Sequence, residues 1–376
     1  MQRSQASPKS QMQAKHQSIL TSALCLPELA HRLSAREWDT VVREARHAGL
    51  LARLGDVLDN ARALREVPDG PRAHLQAARA VARAQHAQVT REVTLIAQTL
   101  RPLGIAPVLL KGAAYLFANL PAARGRVFSD IDILVPKARL PEVEAALMAS
   151  GWASTHHSAY DQKYYRQWMH ELPPMQHIFR DTVLDVHHTI LPETARLKPD
   201  AAKLFADACD VEGTEAMVRV LAPTDMVLHS MTHLFHNDEL SHGLRDLSDI
   251  DLLLRHFGVD PAFWPRLARR AAELDLARPL YYGLRHAQRV FATPAPDGLV
   301  ADIASNGPGW PLDRWMDTLW SRALRPPHRS ASDALTGPAL FMLYLRAHWL
   351  RMPPQLLVRH LSIKAWQRSF GDGTTG

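Results

Sequence analysis

The sequence predicts an α+β protein in which a segment of mixed strands and helices is flanked on both sides by helical regions. Apolar residues recur every three or four positions from about residue 18 to 104, which is the period of a helix. Short β-branched runs alternate with helical stretches between about 106 and 215, and the helical period returns beyond Pro223. We therefore divide the chain into a disordered tail (1–17), an N-terminal helical region (18–105), an α/β core (106–215) and a C-terminal helical domain (216–376).

The composition excludes several classes of protein. With 376 residues, 47% of them hydrophobic and 22% charged, the chain is too apolar for general disorder and longer than one core usually fills. Its two cysteines, Cys25 and Cys209, are too few for a disulfide framework and fit the cytoplasm. No run of about 18 uncharged apolar residues occurs, so we expect no membrane span. The net charge of +6 suits anionic substrates, but the absence of a basic stripe interleaved with aromatic residues argues against nucleic acid as a partner.

The N-terminal region is predicted to be helical from its spacing and its residue types. Leu54 and Leu58 belong to an apolar series with the helical period. Residues 73–87 are rich in alanine and arginine, which have high helix propensity. Pro102 and Gly104 then end the helix, because proline lacks an amide hydrogen and glycine tolerates the turn that follows.

The next segment has the pattern of a phosphate-binding turn. Residues 108–110 form an apolar strand that ends at Lys111 and Gly112 and continues into a helix-favouring run. The free amide groups and the dipole at a helix N-terminus attract an anion, and the lysine adds a positive charge. Arg124 and Arg126 follow and are candidates to hold outer phosphates; the alternative is that these cations are ordinary solvated loop residues.

A hexapeptide at residues 129–134, Ser-Asp-Ile-Asp-Ile-Leu, predicts a carboxylate pair on a strand. Isoleucine and aspartate alternate, and Pro136 closes the run. Side chains two apart on a strand point to the same side, so Asp130 and Asp132 share a face. Mg²⁺ prefers oxygen ligands of this kind, and the alternative is a solvated pair on an edge strand.

A nearly identical hexapeptide at residues 248–253 is predicted to behave differently. Its neighbouring apolar residues follow the helical period, and two positions on a helix are separated by about 200°. Asp249 and Asp251 therefore diverge and cannot hold one metal ion together.

A third carboxylate is predicted from a hairpin. Residues 176–179 and 182–187 are two β-rich runs separated by Arg-Asp. Val183, Asp185 and His187 share one face of the second strand, and an aspartate among apolar residues is costly to bury without a partner or a metal. Asp185 is therefore the best candidate for a further metal ligand or a general base.

The order of these motifs resembles a known family. Leu-Lys-Gly at 110–112, Arg126, Ser-Asp-Ile-Asp-Ile-Leu-Val at 129–135 and Leu-Asp-Val-His at 184–187 are similar to the uncharacterised nucleotidyltransferases of the DNA polymerase β superfamily. The resemblance covers residues 90–190 well and extends more loosely to the flanking helices.

The resemblance implies a small mixed sheet with helices, a metal-binding carboxylate cluster on two neighbouring strands, and transfer of a nucleoside monophosphate from a nucleoside triphosphate. It implies Mg²⁺ or Mn²⁺ as the cofactor. The residues assigned on this basis are Asp130, Asp132 and Asp185 as catalytic metal ligands, and Lys111, Gly112, Arg126 and Ser129 as nucleotide-binding residues.

Other polar clusters give weaker signals. His229, His233 and His236 share a helix face, but the glutamate of a His-Glu-x-x-His zinc motif is missing, so we expect them to line the core or the active site. Arg245 and Asp246 are expected on a solvated or ion-paired helix face, with a supporting role beside the nucleotide as the alternative.

Two further expectations concern packing. The aromatic residues of the C-terminal domain are predicted to pack in its core: Trp315, Trp320, Tyr344, Trp349 and Trp366. Residues 158–169, rich in tyrosine and glutamine, are expected to form a loop over the site.

The leading hypothesis is a metal-dependent nucleotidyltransferase that acts on a hydroxyl of a small molecule or a protein, with the acceptor unknown. Two alternatives stay open. One is a catalytically silent protein of the same fold that binds a nucleotide or a partner. The other is a glycosyltransferase that uses Asp-x-Asp to hold a nucleotide-sugar, which the hairpin carboxylate and the lack of a long parallel sheet disfavour.

Overall fold

The computed structural model describes residues 18–155, 162, 165–166, 168–214, 216–353 and 355, and the structural statements below concern these residues. The predicted disordered tail, most of the predicted loop at 158–169, and Trp366 lie outside the described residues.

The N-terminal region is helical, as predicted. Ser34 and Glu37 form a capping box at the start of the second helix, in which each side chain accepts a hydrogen bond from the other residue's backbone amide. The fourth helix ends just before Pro102, and Gly104 adopts a φ of +68° in the turn that follows. The helices are α1 (Ile19–Cys25), α2 (Ala35–His47), α3 (Leu51–Asn60) and α4 (Asp69–Leu100).

A seven-stranded mixed sheet forms the centre of the fold, in the order β3-β4-β5-β2-β1-β7-β6. β2 pairs with β5 in parallel and with β1 antiparallel, and β4 and β5 form the predicted hairpin. The strands are β1 (Val108–Leu109), β2 (Ile131–Leu134), β3 (Trp152–Ser154), β4 (Met175–His177), β5 (Val183–His187), β6 (Cys209–Asp210) and β7 (Arg219–Val220). The predicted α+β class, with helices flanking a mixed sheet, is confirmed.

Three helices are interspersed with the strands: α5 (Lys111–Phe117), α6 (Leu140–Ala149) and α7 (Ala201–Ala206). α5 begins directly after β1, at the predicted Lys-Gly step. β7 pairs with β1 although it lies beyond residue 215, where the sequence analysis ends the α/β core. The domain boundaries themselves stay a prediction.

The C-terminal part is helical, and its helices are α8 (Pro223–His236), α9 (Gly243–Phe257), α10 (Phe263–Glu273), α11 (Ala277–Phe291), α12 (Asp297–Ala304), α13 (Leu312–Ala323) and α14 (Thr336–Arg351). None of the described helices is both long and apolar enough to cross a membrane. Buried apolar residues from the N-terminal helices, the sheet and the C-terminal helices form one continuous core cluster.

The prediction that the C-terminal aromatic residues pack in the core is wrong for three of them. Trp320 is buried, but Trp315, Tyr344 and Trp349 are 52%, 38% and 47% exposed. α13 buries one face through Met316, Leu319, Trp320 and Ala323, and Trp315 lies about 140° away from Trp320 around the helix. In α14 the buried face is narrow. Small alanines and Leu343 make its apolar contacts, and the larger rings of Tyr344 and Trp349 point outward.

Candidate active site

Two carboxylates meet where β2 and β5 run side by side. In this parallel pair Asp132 is directly opposite Asp185, and Leu134 is opposite His187. Directly opposed residues of neighbouring strands project to the same side of the sheet. The pairing register therefore brings together two of the three carboxylates that the sequence analysis singled out from separate motifs.

Asp132 is buried and bears two polar contacts. Its side chain is 4% exposed, and Oδ1 accepts a hydrogen bond from Nζ of Lys111 at 2.7 Å and lies 2.9 Å from Nε2 of His187. Burial alone would raise the pKa of Asp132, but Lys111 and then His187 hold it well below its usual range. Asp132 is thus ionised in the folded protein, and protonated Lys111 is its counter-ion.

Asp185 lacks such compensation. Among the described residues nothing hydrogen-bonds to its buried Oδ1. Burial, followed by the negative charges of Asp132 and Glu171, raises the pKa of Asp185 to about 8. One ligand atom from each of Asp132, Asp185 and His187 lies within 4.8 Å of the others. An unsatisfied carboxylate oxygen beside a second carboxylate is the arrangement that a divalent cation would stabilise, so these residues fit a metal site.

Asp130, the third predicted carboxylate, lies beside the cluster but is not among the residues whose ligand atoms come within 4.8 Å of one another, which are Asp132, Asp185 and His187. It immediately precedes β2, is partly buried, and accepts a hydrogen bond from the Ser129 hydroxyl at 2.8 Å. The negative charge of Asp130 raises the pKa values of both Lys111 and Asp185, so Asp130 is close enough to affect the ionisation of each.

A polar cavity of about 300 Å³ adjoins the cluster. Four of the predicted residues line it: Lys111, Arg126, Ser129 and Asp130. Asp132, Asp185 and Gly112 are not among the lining residues, although Asp132 contacts Lys111 and Gly112 lies against Arg126. Arg124 is exposed and is not among the lining residues either.

Arg126 is held in the cavity wall by the second Asp-x-Asp motif. Its Nε donates to Oδ2 of Asp249 at 2.9 Å, and Nη2 of Arg53 lies 2.7 Å from Oδ1 of the same aspartate. All three side chains are at least nine-tenths buried. Burial opposes the charge of Asp249, but Arg53 and Arg126 keep its pKa below the usual range. A buried cluster of two guanidinium groups and one carboxylate therefore joins α3, the loop before β2, and α9.

Gly112 makes room for this arrangement. A Cβ at this position would collide with Nη1 of Arg126 and would lie 2.7 Å from the ring of Phe128. Glycine is therefore required for the close approach of α5 to the Arg126 side chain.

The predicted divergence of the second aspartate pair is confirmed. Asp249 points to Arg126, whereas Oδ1 of Asp251 accepts hydrogen bonds from the hydroxyl of Thr293 at 2.6 Å and from Nε of Arg255 at 2.8 Å. The pair cannot hold one ion, but Asp249 does contribute to the cavity wall.

The histidines of α8 are mostly enclosed, and one of them reaches the cavity. His229 and His236 are buried, and His233 lines the cavity. Burial, and then Lys111, lowers the pKa of His229 to about 3 and keeps His233 neutral as well. His229 therefore packs in the interior as a neutral ring, and His233 adds a neutral polar group to the cavity wall.

Arg245 and Asp246 lie on the same cavity wall. The Arg245 guanidinium donates to Oδ1 of Asp246 at 3.0 and 3.1 Å. The structure thus supports an ion-paired helix face, and it also places both residues beside the candidate site.

Several lining residues were not identified from the sequence. Tyr115 and Ser230, which share a 3.1 Å hydrogen bond between their hydroxyl groups, face the cavity from α5 and α8. Asn237, Glu239, Ser241 and His242 come from the connection between α8 and α9. The run of polar residues after a buried helix was the available signal, but it is typical of any exposed connection.

The α+β fold, with opposed carboxylates on neighbouring strands and cations beside a polar cavity, is typical of enzymes that act on phosphate groups. A family model described as an uncharacterised nucleotidyltransferase matches residues 34–292, which is more than half of the chain. The protein belongs to this nucleotidyltransferase family. The match includes the sheet, the candidate site and the helices α2 to α11, a wider region than the resemblance in the sequence motifs covered. No curated protein and no solved structure matched the chain.

Proposed function

We propose that this protein is a metal-dependent enzyme that transfers a nucleoside monophosphate from a nucleoside triphosphate to a hydroxyl group. The observation that carries this proposal is the cluster in which Asp132 is opposite Asp185 across parallel strands, with Lys111 2.7 Å from Asp132 and a polar cavity alongside. A silent binding protein would not need a buried, unsatisfied carboxylate beside this cavity, since the arrangement destabilises the metal-free fold. A cytoplasmic location stays a prediction.

Asp130, Asp132 and Asp185 would hold the metal, which we expect to be Mg²⁺ or Mn²⁺ because all three residues offer carboxylate oxygens. When bound, such an ion lowers the pKa of the acceptor hydroxyl and offsets the charge of the phosphates. His187 orients Asp132 through the contact between its Nε2 and Oδ1. Lys111 balances the charge of Asp132 until substrate arrives.

The polar cavity is our candidate site for the triphosphate. Lys111 and Arg126 supply positive charge, and Ser129 supplies a hydroxyl at the entrance. Gly112 acts indirectly, by allowing Arg126 to pack against α5. The anchoring of Arg126 by Asp249 fixes the guanidinium position before substrate binds, which reduces the ordering cost on binding.

The chemistry would be an in-line displacement. The acceptor oxygen forms a bond to the α-phosphorus, the bond between that phosphorus and the bridging oxygen breaks, and pyrophosphate leaves. Asp185, whose buried Oδ1 has no hydrogen-bond partner among the described residues, is the candidate to accept the hydroxyl proton if it does not itself bind the metal ion. Lys111 lies where it can neutralise charge on the departing phosphates.

A neighbouring cavity is our candidate acceptor site. It has a volume of about 630 Å³, is lined by apolar residues such as Leu240 and Phe341, and shares Glu239 and Ser241 with the polar cavity. This size and lining are typical of a small-molecule site. We therefore favour an apolar alcohol of small-molecule size as the acceptor.

The central test is pyrophosphate release from labelled nucleoside triphosphates with Mg²⁺ or Mn²⁺. Asp132→Asn should lower turnover more than about 100-fold, because it removes a ligand charge and the partner of Lys111. Asp251→Asn is the matched control: it makes the same change in the second motif, away from the cavity, and should retain turnover.

The alternatives give different results in this test. A silent binding protein would melt at a higher temperature with Mg²⁺ and nucleotide but release no pyrophosphate. A glycosyltransferase would release a nucleoside diphosphate from a nucleotide-sugar. Equal turnover in Asp132→Asn and the wild type would refute the assignment of the cluster.

The acceptor site has its own test. Ala331 lines the apolar cavity, and Ala331→Trp should fill it. We expect this variant to lose label transfer to acceptors in a metabolite extract while keeping its thermal shift with nucleotide. Ala334→Trp, an exposed position that does not line the cavity, is the control. Unchanged transfer by Ala331→Trp would move the acceptor site elsewhere.

A further inference from the structure

A second cluster of ligand-type side chains lies against the carboxylate cluster, on the other side of His187. The segment before β4 makes an antiparallel bridge with the end of β5, in which Glu171 is opposite His187. The backbone amide of His188 donates to the carbonyl of His170 at 2.8 Å. This pairing brings the side chains of His170, Glu171 and His187 together although Glu171 and His187 are 16 positions apart in the sequence.

The three side chains have the spacing of a metal site. Nδ1 of His187 lies 3.2 Å from Oε2 of Glu171, and Nε2 of His170 lies 3.8 Å from the same oxygen. The two imidazole rings are 5.1 Å apart between centroids. One ligand atom from each residue lies within 4.8 Å of the others.

The hydrogen-bonding state of His187 indicates what is missing. Its Nε2 faces Oδ1 of Asp132 at 2.9 Å, so this nitrogen carries the hydrogen and donates it. In the neutral ring the lone pair is then on Nδ1, which points toward the Glu171 carboxylate. The side chain of His187 is 4% exposed, and within the described parts of the chain no group hydrogen-bonds to Nδ1. A positive charge is therefore needed between Nδ1 and the Glu171 carboxylate: either a proton on Nδ1, which makes His187 an imidazolium, or a metal ion in its place.

His170 faces Glu171 with Nε2, which is the ring nitrogen in position to bind a metal ion. Its Nδ1 is buried and has no hydrogen-bond partner among the residues that the structure describes. Two imidazoles and one carboxylate form a ligand set that zinc and similar transition metals prefer, whereas Mg²⁺ prefers an all-oxygen set. A metal-bound histidine also commonly donates its other ring hydrogen to a carboxylate, as His187 does to Asp132.

We propose that His170, Glu171 and His187 bind one divalent transition metal, of which Zn²⁺ is the representative, at a site separate from the Asp130–Asp132–Asp185 cluster. The metal would fix the orientation of His187 and, through it, the position of the Asp132 carboxylate. This site goes beyond the proposed function, since it requires neither a nucleotide nor catalysis.

The test measures metal binding directly. Chelator-treated protein is titrated with Zn²⁺ against a chromophoric competitor, in the presence of excess Mg²⁺. We expect one tight equivalent in the wild type, and a visible absorption band of a coordinated ion when Co²⁺ is used instead. His170→Gln and Glu171→Gln should each weaken the tight site at least about tenfold. Melting curves will show whether each variant is folded. If one of the two variants does not fold, the other still tests the site.

Controls separate this site from the candidate catalytic cluster. Asp130→Asn and Cys209→Ser should retain the tight equivalent. Absence of any tight equivalent in the wild type would overturn the proposal and leave His187 as an imidazolium between two carboxylates. Loss of the equivalent in Asp185→Asn together with full binding in both His170→Gln and Glu171→Gln would also overturn it, by placing the ion on the carboxylate side of His187.

Discussion

At the scale of single residues, His187 and Asp185 show that two side chains on the same face of one strand can differ in their hydrogen-bond partners. Both belong to β5, two residues apart, and so project to the same face. His187 is satisfied on one nitrogen by Asp132, while Oδ1 of Asp185 has no hydrogen-bond partner among the described residues. The sequence analysis identified Asp185 because an aspartate among apolar residues is costly to bury, and among the described residues Oδ1 gains no hydrogen bond that would offset this cost.

Replacing Asp185 by asparagine is expected to separate activity from stability. The pKa of Asp185 is about 8 in the folded protein and near 3.8 in the unfolded chain. Because folding disfavours the ionised form, the contribution of protonated Asp185 to stability is complete below pH 4 and is lost as the pH rises through 8. Metal-free Asp185→Asn should melt at a higher temperature than the wild type at pH 8.5, with the difference shrinking at pH 5. Its turnover should fall more than about 100-fold.

Asp181→Asn is the control for this experiment, because it makes the same change in the turn of the same hairpin. Asp181 has a φ of +58°, which asparagine tolerates well. Melting curves in chelator at the two pH values and pyrophosphate assays with Mg²⁺ provide the measurements. A lower melting temperature of Asp185→Asn at pH 8.5, combined with normal turnover, would make Asp185 a structural residue.

At the scale of elements, the two Asp-x-Asp motifs differ because one adjoins a strand and the other lies on a helix. The surrounding residues made this difference predictable: β-branched alternation around Asp132 and helical apolar spacing around Asp249. What the pattern did not reveal is that α9 turns Asp249 toward Arg126. That contact depends on how α9 packs against the loop before β2, which local periodicity does not encode.

The junction of β1 and α5 provides a prediction at this scale. Gly112→Ala should displace the Arg126 guanidinium, since the new methyl group would collide with it. We expect nucleotide affinity to fall about tenfold, equivalent to about 1.4 kcal/mol, with a smaller loss of thermal stability. Isothermal titration with a nucleoside triphosphate measures the effect.

Gly70→Ala is the matched control, because a Cβ there meets no atom within 4 Å. It lies in the first turn of α4, where alanine favours the helix, so its binding should be unchanged. Unaltered nucleotide affinity in Gly112→Ala would show that the Arg126 position does not matter for binding.

Across the whole molecule, buried neutral histidines couple the fold to pH. His286 is 1% exposed and packs against the rings of Phe235 and Tyr282. Burial, followed by the charge of Arg289, lowers its pKa from 6.5 to about 3. Below pH 6.5 the unfolded chain binds a proton at His286 and the folded protein does not. The contribution of neutral His286 to stability is therefore complete above pH 6.5 and is lost as the pH falls toward 3.

His286→Phe should therefore reduce the loss of stability on acidification. Between pH 7 and pH 5 the wild type should lose about 1 kcal/mol more per pH unit below 6.5 than the variant. Denaturant unfolding at several pH values measures the difference. His256→Gln, at an exposed position, should leave the pH dependence as it is. If His286→Phe and the wild type had parallel pH profiles, His286 would not be a source of acid sensitivity.

The sequence by itself determined the α+β class, the helical flanks, the β4–β5 hairpin and the different settings of the two aspartate motifs. These features follow from local periodicity, turn residues and residue type, which act over a few neighbouring positions. The tertiary structure alone decided that Asp132 is opposite Asp185, that Asp249 anchors Arg126, that the connection after α8 lines the cavity, and that Trp315 and Trp349 face outward. Strand register and helix packing bring together residues far apart in the chain, and no local pattern specifies which distant surfaces will meet.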